Sequence, residues 1–177
     1  VMVIAANARA AQDAAEKIVV DYKPLAAVTD AREAVKPGAP QLWPEAPGNI
    51  GFDWTAPADP DGKKKAALER AFAEAAHIVR VELVNQRLVV ASLEPRTATA
   101  SYDAGTNRFT LRCGTQGVAA VRGQVAAALG IQPEQMRVLS DDVGGAFGMK
   151  GWCYPEYIPM LHAARMLQKP IHWVSTR

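Results

Sequence analysis

Three short stretches carry residue types suited to chemistry. The first is SDDVGGAFGMKG, residues 140–151, where Gly144, Gly145, Gly148 and Gly151 surround Phe147. It follows the strand-like run MRVLS and precedes a helical pattern. Bare backbone in that setting can turn amides toward an anion, or simply make a bulge or tight turn. Two familiar anion loops do not fit. A phosphate-binding loop needs Gly-Lys-Ser/Thr, but Met149 separates Gly148 from Lys150; a dinucleotide fingerprint needs G-x-G-x-x-G, which these glycines do not make. The second stretch is CGTQG, residues 113–117, small residues that end one strand and open a helix. Thr115 is the expected N-cap. Gln116 faces either a ligand at the helix N-terminus or solvent. The third is SLEPRTA, residues 92–98, where Glu94 and Arg96 flank Pro95 and are expected to form a local ion pair that fixes a turn.

Other candidates are weaker. His77, His162 and His172 match no metal-ligand spacing, and no Ser/His/Asp or Cys/His arrangement is readable. Cys113 and Cys153 stand far apart without a C-x-x-C. Two reduced, partly buried thiols are expected, as in a cytoplasmic protein. The chain has 177 residues, 49% hydrophobic and 21% charged, with a formal net charge of +2. That is the balance of a globular protein, and its scattered basic residues do not make a nucleic-acid face. Lys63, Lys64 and Lys65 read as a solvated linker. No apolar run is long enough to span a bilayer, and the N-terminus lacks the order of a signal peptide.

The elements that must position these stretches follow from periodicity. Val1–Ala5 reads as a buried strand. Residues 7–18 read as a helix capped by Asn7, with Ala8, Ala11, Ala15 and Ile18 on one face. IVVDY returns to a strand that Pro24 ends. Between Lys36 and Pro60 prolines cluster around Trp43, Phe52 and Trp54, which predicts a linker that packs along a surface. KAALERAFAEAAHIV predicts an amphipathic helix with Leu68, Phe72, Ala75 and Val79 on its apolar face. IVRVELVNQRLV alternates as strands do. DAGTN between alternating runs predicts a hairpin. VAAVRGQVAAALG is helical, with Val118, Val121, Val125 and Leu129 in a stripe and Gly130 at the C-cap. PEYIPMLHAARMLQK is helical, with Pro155 near the first turn and Tyr157, Leu161, Ala164 and Gln168 in register. IHWVS is the last strand. Strand-like runs at both termini lack neighbours, so a segment of a longer protein is expected, and an exposed edge would favour a homodimer. The class is mixed α/β (α+β).

The order of the motifs is more specific than any one of them. VVDYKPLAAVTDAREAV, VNQR, LEPRTATASYD, GTQG with VR downstream, SDDVGGAFGMK and YPE together resemble the large subunit of the molybdenum hydroxylases, a family of aldehyde oxidases, xanthine dehydrogenases and aerobic carbon monoxide dehydrogenases. The resemblance covers essentially the whole chain. It implies that residues 1–35 end an α/β hammerhead-type domain, that 36–64 form a Pro-rich linker, and that 65–177 open the molybdopterin-binding domain. It implies that Gly144, Gly145, Ala146, Phe147 and Gly148 lie against a molybdenum–pterin cofactor, their amides close to it. Gln116 matches the glutamine that hydrogen-bonds an oxo ligand of the metal, where a neutral donor adds no charge. The implied reaction is hydroxylation of an aldehyde, N-heterocycle or similar carbon, with oxygen taken from water and electrons passed to Fe–S and FAD domains or subunits.

Three departures qualify it. The family's base glutamate lies beyond Arg177, so the isolated chain is expected to be inactive. Ala146 replaces a glycine common in the loop. Gly151 stands where xanthine-type members carry an acidic residue, which disfavours a purine substrate. Two other readings remain at this stage: a non-catalytic truncated module with a structural or assembly role, and a phosphate-binding enzyme using the loop as an anion cradle.

Overall fold

The computed structural model describes residues 1–54, 58–85 and 88–176. The chain parts into two compact units, one of Val1–Val19 with Gln86–Arg177, the other of Val20–Asn85.

The first unit is built on a four-stranded mixed sheet. Strands β1 (Thr97–Asp103) and β2 (Arg108–Cys113) form the expected hairpin. Asp103 Oδ1 accepts from the amides of Gly105 and Thr106 at 2.8 and 3.3 Å, and Asn107 takes the left-handed conformation at φ 51°. Turn chemistry of this type is local, so it is readable from sequence. Helix α4 (Val118–Leu129) carries the chain to β3 (Met136–Leu139), which lies parallel to β2. Gly130 closes α4 in the left-handed conformation, and the next amide, of Ile131, bonds back to Ala126 O at 3.0 Å, as a glycine C-cap does. Helix α5 (Tyr157–Leu167) then leads to β4 (Ile171–Val174), antiparallel to β1. The sheet order is β3-β2-β1-β4.

Alternation along β1 and β2 puts Ala98, Ala100, Phe109, Leu111 and Cys113 on one face. They form one cluster with Val121, Val125 and Ala126 of α4 and with Tyr157, Met160, Leu161 and Ala164 of α5. Both helices therefore cover the same face. Phe109 stands directly opposite Tyr102, ring centroids 4.7 Å apart, a cross-strand pair of the kind that fixes register. Val118, at the head of the expected stripe, is exposed, and Gln168 lies one residue past α5 as its left-handed cap.

Helix α1 (Ala8–Ala15) forms where expected, with Asn7 Oδ1 accepting from Ala10 N at 2.9 Å. Val1–Ala5 does not form a strand; Met2–Ala5 instead line an apolar groove beside β4. IVVDY is likewise outside any strand, with Val19 and Tyr22 exposed. A strand exists only through its ladder partners, which these runs lack among the described residues.

In the second unit, α2 (Ala31–Ala34) is a short helix that the periodicity does not announce; Asp30 caps it by accepting from Arg32 N and Glu33 N. Helix α3 (Lys63–Glu74) forms as expected but stops at Ala75, and Leu68 and Phe72 are exposed. Lys63–Lys65 are its first turn, not a linker. Residues 78–85 are outside any strand; Gln86 and Arg87 of VNQR lie outside the described residues. The Pro-rich stretch is clasped by Asn49, whose Nδ2 donates to Ala34 O and Pro40 O at 2.8 and 3.0 Å while its Oδ1 accepts from Leu42 N at 2.8 Å. Trp43, Phe52 and Trp54 remain exposed. Among the described residues no helix is long and apolar enough to cross a membrane.

Candidate functional site

The topology brings the three candidate stretches together. Strands β2 and β3 are parallel, so their carboxyl ends share one end of the sheet. CGTQG leaves one and the glycine loop leaves the other. Strand β1 is antiparallel to β2, with Ala98 opposite Cys113, so the residues that enter β1, Ser92–Arg96, come to that same end. Loops at the carboxyl ends of parallel strands are a common place for ligand sites in α/β structures.

Lys150 joins all three. Its side chain is buried and its Nζ donates to Glu94 Oε2 at 2.5 Å. Its carbonyl accepts from Gln116 N at 3.0 Å and from Thr115 Oγ1 at 2.9 Å. The same Glu94 oxygen takes the Gly144 amide at 2.8 Å, and Glu94 N donates to Gly144 O at 3.2 Å. The expected local pair of Glu94 with Arg96 is therefore wrong. Arg96 instead makes a two-pronged bond to Glu156, at 2.9 and 3.3 Å, and lies 3.7 Å over the Tyr154 ring. Tyr154 in turn donates its hydroxyl to Met149 O. Thr115 is not the N-cap of α4; Gly117 is, and Thr115 accepts from its amide at 3.2 Å. The burial of Lys150 against a carboxylate also removes the one lysine a phosphate cradle would need here.

The loop itself holds an uncommon backbone. Gly145, Phe147 and Gly148 have φ of 93°, 50° and 86°. Met149 N bonds to Ala146 O at 2.9 Å, closing a turn whose two central residues both have positive φ. Asn or Gly normally stands at the first of these positions. A phenylalanine there costs on the order of 1–2 kcal/mol, and such strain clusters at functional sites. Phe147 is 78% exposed. Its ring closes over Gly145, where a Cβ would meet Phe147 Cε2 at 3.1 Å and Ser92 Cβ at 3.3 Å. Among the described residues the amides of Ala146, Phe147 and Gly148 have no protein acceptor, and a Cβ on Gly148 would meet nothing within 4 Å. Open backbone donors beside an exposed aromatic fit a flat group edged with nitrogen and oxygen acceptors, as a pterin is.

Gln116 is exposed at the mouth of the site, its Oε1 3.9 Å from where a Cβ on Gly151 would stand. Among the described residues no group of three or more His, Cys, Asp or Glu side chains is placed to hold a metal ion. Cys113 is buried and Cys153 half-buried, both free. Burial pushes the Cys113 thiol and the Tyr157 hydroxyl up, so both stay neutral near pH 7.

Sequence reasoning missed Lys150 and Glu94 as partners. The only signal was charge order: Glu94 then Arg96 in one stretch, Lys150 then Glu156 in the other, each matching its opposite.

The bond from Lys150, then the Gly144 amide, holds the Glu94 carboxyl below its ordinary value of 4.5. A carboxylate depressed in the folded state stabilises above its unfolded value and loses that stabilisation as pH falls through its folded value. Melting of the complete protein is therefore expected to drop below about pH 4.5 by a part that Glu94→Gln abolishes. An equal acid dependence in both proteins would contradict the ion pair.

Against this geometry stand the family comparisons. The molybdopterin cofactor-binding domain family matches residues 43–177. The chain belongs to this family. It is 33% identical over its whole length to the 6-hydroxypseudooxynicotine dehydrogenase complex subunit gamma of Paenarthrobacter nicotinovorans, of which it covers 21%. Among solved structures it resembles quinoline 2-oxidoreductase from Pseudomonas putida 86, with a TM-score of 0.74 and 29% identity over 97% of this chain and 21% of that one. It also resembles a Cu,Mo-CO dehydrogenase, with a TM-score of 0.75 and 26% identity over 96% of this chain and 22% of that one. The chain thus spans about a fifth of the length of these molybdenum-hydroxylase relatives.

Proposed function

We propose that this molybdopterin-binding chain is part of a molybdenum hydroxylase large subunit that oxidises an aldehyde, N-heterocycle or similar carbon centre with water as the oxygen source. The observation that carries the proposal is the convergence of Gln116 with the positive-φ loop 144–148, in a chain of this family. Residues 1–35 are read as the end of a hammerhead-type domain, 36–64 as the Pro-rich linker, its last two residues already in the first turn of α3, and 65–177 as the opening of the cofactor domain. Fe–S and FAD domains or subunits would accept the electrons, the base would come from a glutamate outside this chain, and the complex would be cytoplasmic. The isolated chain would not turn over.

When bound, the molybdenum–pterin group would supply the two-electron oxidant and activate the water whose oxygen enters the product. The chain's own residues bind and orient. The amides of Phe147 and Gly148 offer hydrogen bonds without charge. Gly144 and Gly145 let the loop pack closely against Glu94, Ser92 and the Phe147 ring, and Ala146 brings only a methyl group to the loop. Gln116 offers a neutral NH2 donor fixed through its own backbone bond to Lys150 O. The Lys150–Glu94 pair is internally neutral, so the loop presents no net charge from it. Gly151 leaves the space beside Gln116 open, which supports a substrate other than a purine. The names of the relatives, which include a 6-hydroxypseudooxynicotine dehydrogenase subunit and a quinoline 2-oxidoreductase, support an N-heterocycle.

Gln116→Ala in the complete protein tests this. One neutral hydrogen bond in the transition state is worth about 1–1.5 kcal/mol, so kcat should fall about tenfold with the fold and the bound pterin retained. Unchanged kcat would sink the role given to Gln116.

A further inference from the structure

The established family explains the glycines of the loop but not what holds them in this conformation. Two glycines with positive φ and a strained phenylalanine do not stay so by local preference. The loop's two flanks, Gly144 and Lys150, are six residues apart, and the three open amides lie between them.

One carboxylate oxygen holds both flanks. Glu94 Oε2 receives Lys150 Nζ at 2.5 Å and Gly144 N at 2.8 Å. The lysine head has no solvent to fall back on, since its side chain is 1% exposed, whereas that of Glu94 is 32% exposed. Glu94 is itself tied down: its amide donates to Gly144 O, and its carbonyl accepts from the buried Ser92 hydroxyl at 2.6 Å. The fit is close, since a Cβ on Gly144 would stand 2.5 Å from Glu94 Cβ. Lys150 then passes the arrangement to Gln116 through its carbonyl.

We propose that Glu94 is the positioning residue of the cofactor loop: by drawing Lys150 and the Gly144 amide onto one oxygen it fixes the loop ends, which leaves the Phe147 and Gly148 amides outward and sets Gln116 beside them. This rests on the reading of the loop as a pterin site. Loss of the charge strands a buried ammonium, and breaking such a pair by removing one partner is the costly case.

The test uses the complete protein and trypsin under native conditions, with cleavage sites mapped by mass spectrometry and bound pterin measured by its fluorescence after gel filtration. Lys150 should be protected in the wild type. Glu94→Gln should raise cleavage after Lys150 by about tenfold through local opening, while cleavage after Arg112, Arg137 and Arg165 stays at the wild-type rate, and bound pterin should be lost. A purely structural role would raise all these sites together, and that result overturns the proposal, as does an unchanged rate at Lys150. Faster cleavage with pterin fully retained would overturn the link to the cofactor. A wild-type protein without pterin would sink the functional reading instead, and the cleavage pattern would still decide whether Glu94 holds the loop. Asp141→Asn, which breaks the exposed Arg112–Asp141 pair beside the loop, should change nothing. If Glu94→Gln does not accumulate, Ser92→Ala removes the hydroxyl bond to the Glu94 carbonyl, loosens Glu94 more mildly and should give a smaller rise at Lys150 alone; no rise would count against the proposal.

Discussion

Alanine at Gly144 should open the glycine loop and destabilise its surroundings by about 1–3 kcal/mol, the usual cost of forcing an added group into occupied space. The added methyl would stand 2.5 Å from Glu94 Cβ and 3.5 Å from Glu94 Oε2. A Cβ cannot rotate away, so the backbone of residues 92–96 or of the loop must move. Either movement strains the bonds from Glu94 to Gly144 N and Lys150 Nζ. Two neighbouring glycines give the contrast. Alanine at Gly114 would meet Glu94 Oε2 and Lys150 Cδ only at 3.5 Å, an ordinary contact, and should be tolerated. Alanine at Gly148 would meet nothing but must hold φ 86°, so its penalty is conformational alone, about 1 kcal/mol. Hydrogen exchange of the loop and of residues 92–96 in the complete protein reads the order: Gly144→Ala fastest, Gly148→Ala intermediate, Gly114→Ala near wild type. Equal rates for Gly144→Ala and Gly114→Ala would mean that Glu94 does not pack against the loop as described.

The larger effect lies beneath the site. Leu111 is fully buried in β2, between β1 and β3 and under the two helices. Leu111→Ala removes its contacts and leaves a cavity, at a cost of about 2–5 kcal/mol. β2 carries CGTQG and pairs with β3, which carries the glycine loop, so the loss should reach both halves of the site. Exchange of protected amides in β1, β2 and β3 is expected to speed up together, because they share one core cluster. Acceleration confined to β2 would show that the sheet does not open as one unit.

The parts of this fold legible in the sequence are those whose cause is local. Asn7 announces α1 and Gly130 ends α4; DAGTN makes the hairpin between β1 and β2. Alternation and helical spacing find β3, α4, α5 and β4. Non-local causes are not legible in this way. Val1–Ala5 and IVVDY have strand composition, but a strand is defined by its ladder partners, and these runs have none among the described residues. The same distinction applies in the site. Glu94 and Arg96 lie two residues apart and suggest a local pair, yet their partners lie 56 and 60 residues away. Only the topology, antiparallel β1 beside β2 and parallel β2 beside β3, brings SLEPR against the glycine loop. Phe147 drew notice from its glycine neighbours, but its positive φ could not be read from residue type, since phenylalanine disfavours it. Gln116 and the loop glycines came together through the motif order of a family, not through spacing.

The most direct test of the central claim is the molybdenum content per polypeptide of the complete protein, purified from cells that load other molybdenum enzymes. Close to one molybdenum per chain is expected, released together with a fluorescent pterin on denaturation. A complete, folded protein with no molybdenum and no pterin would contradict it.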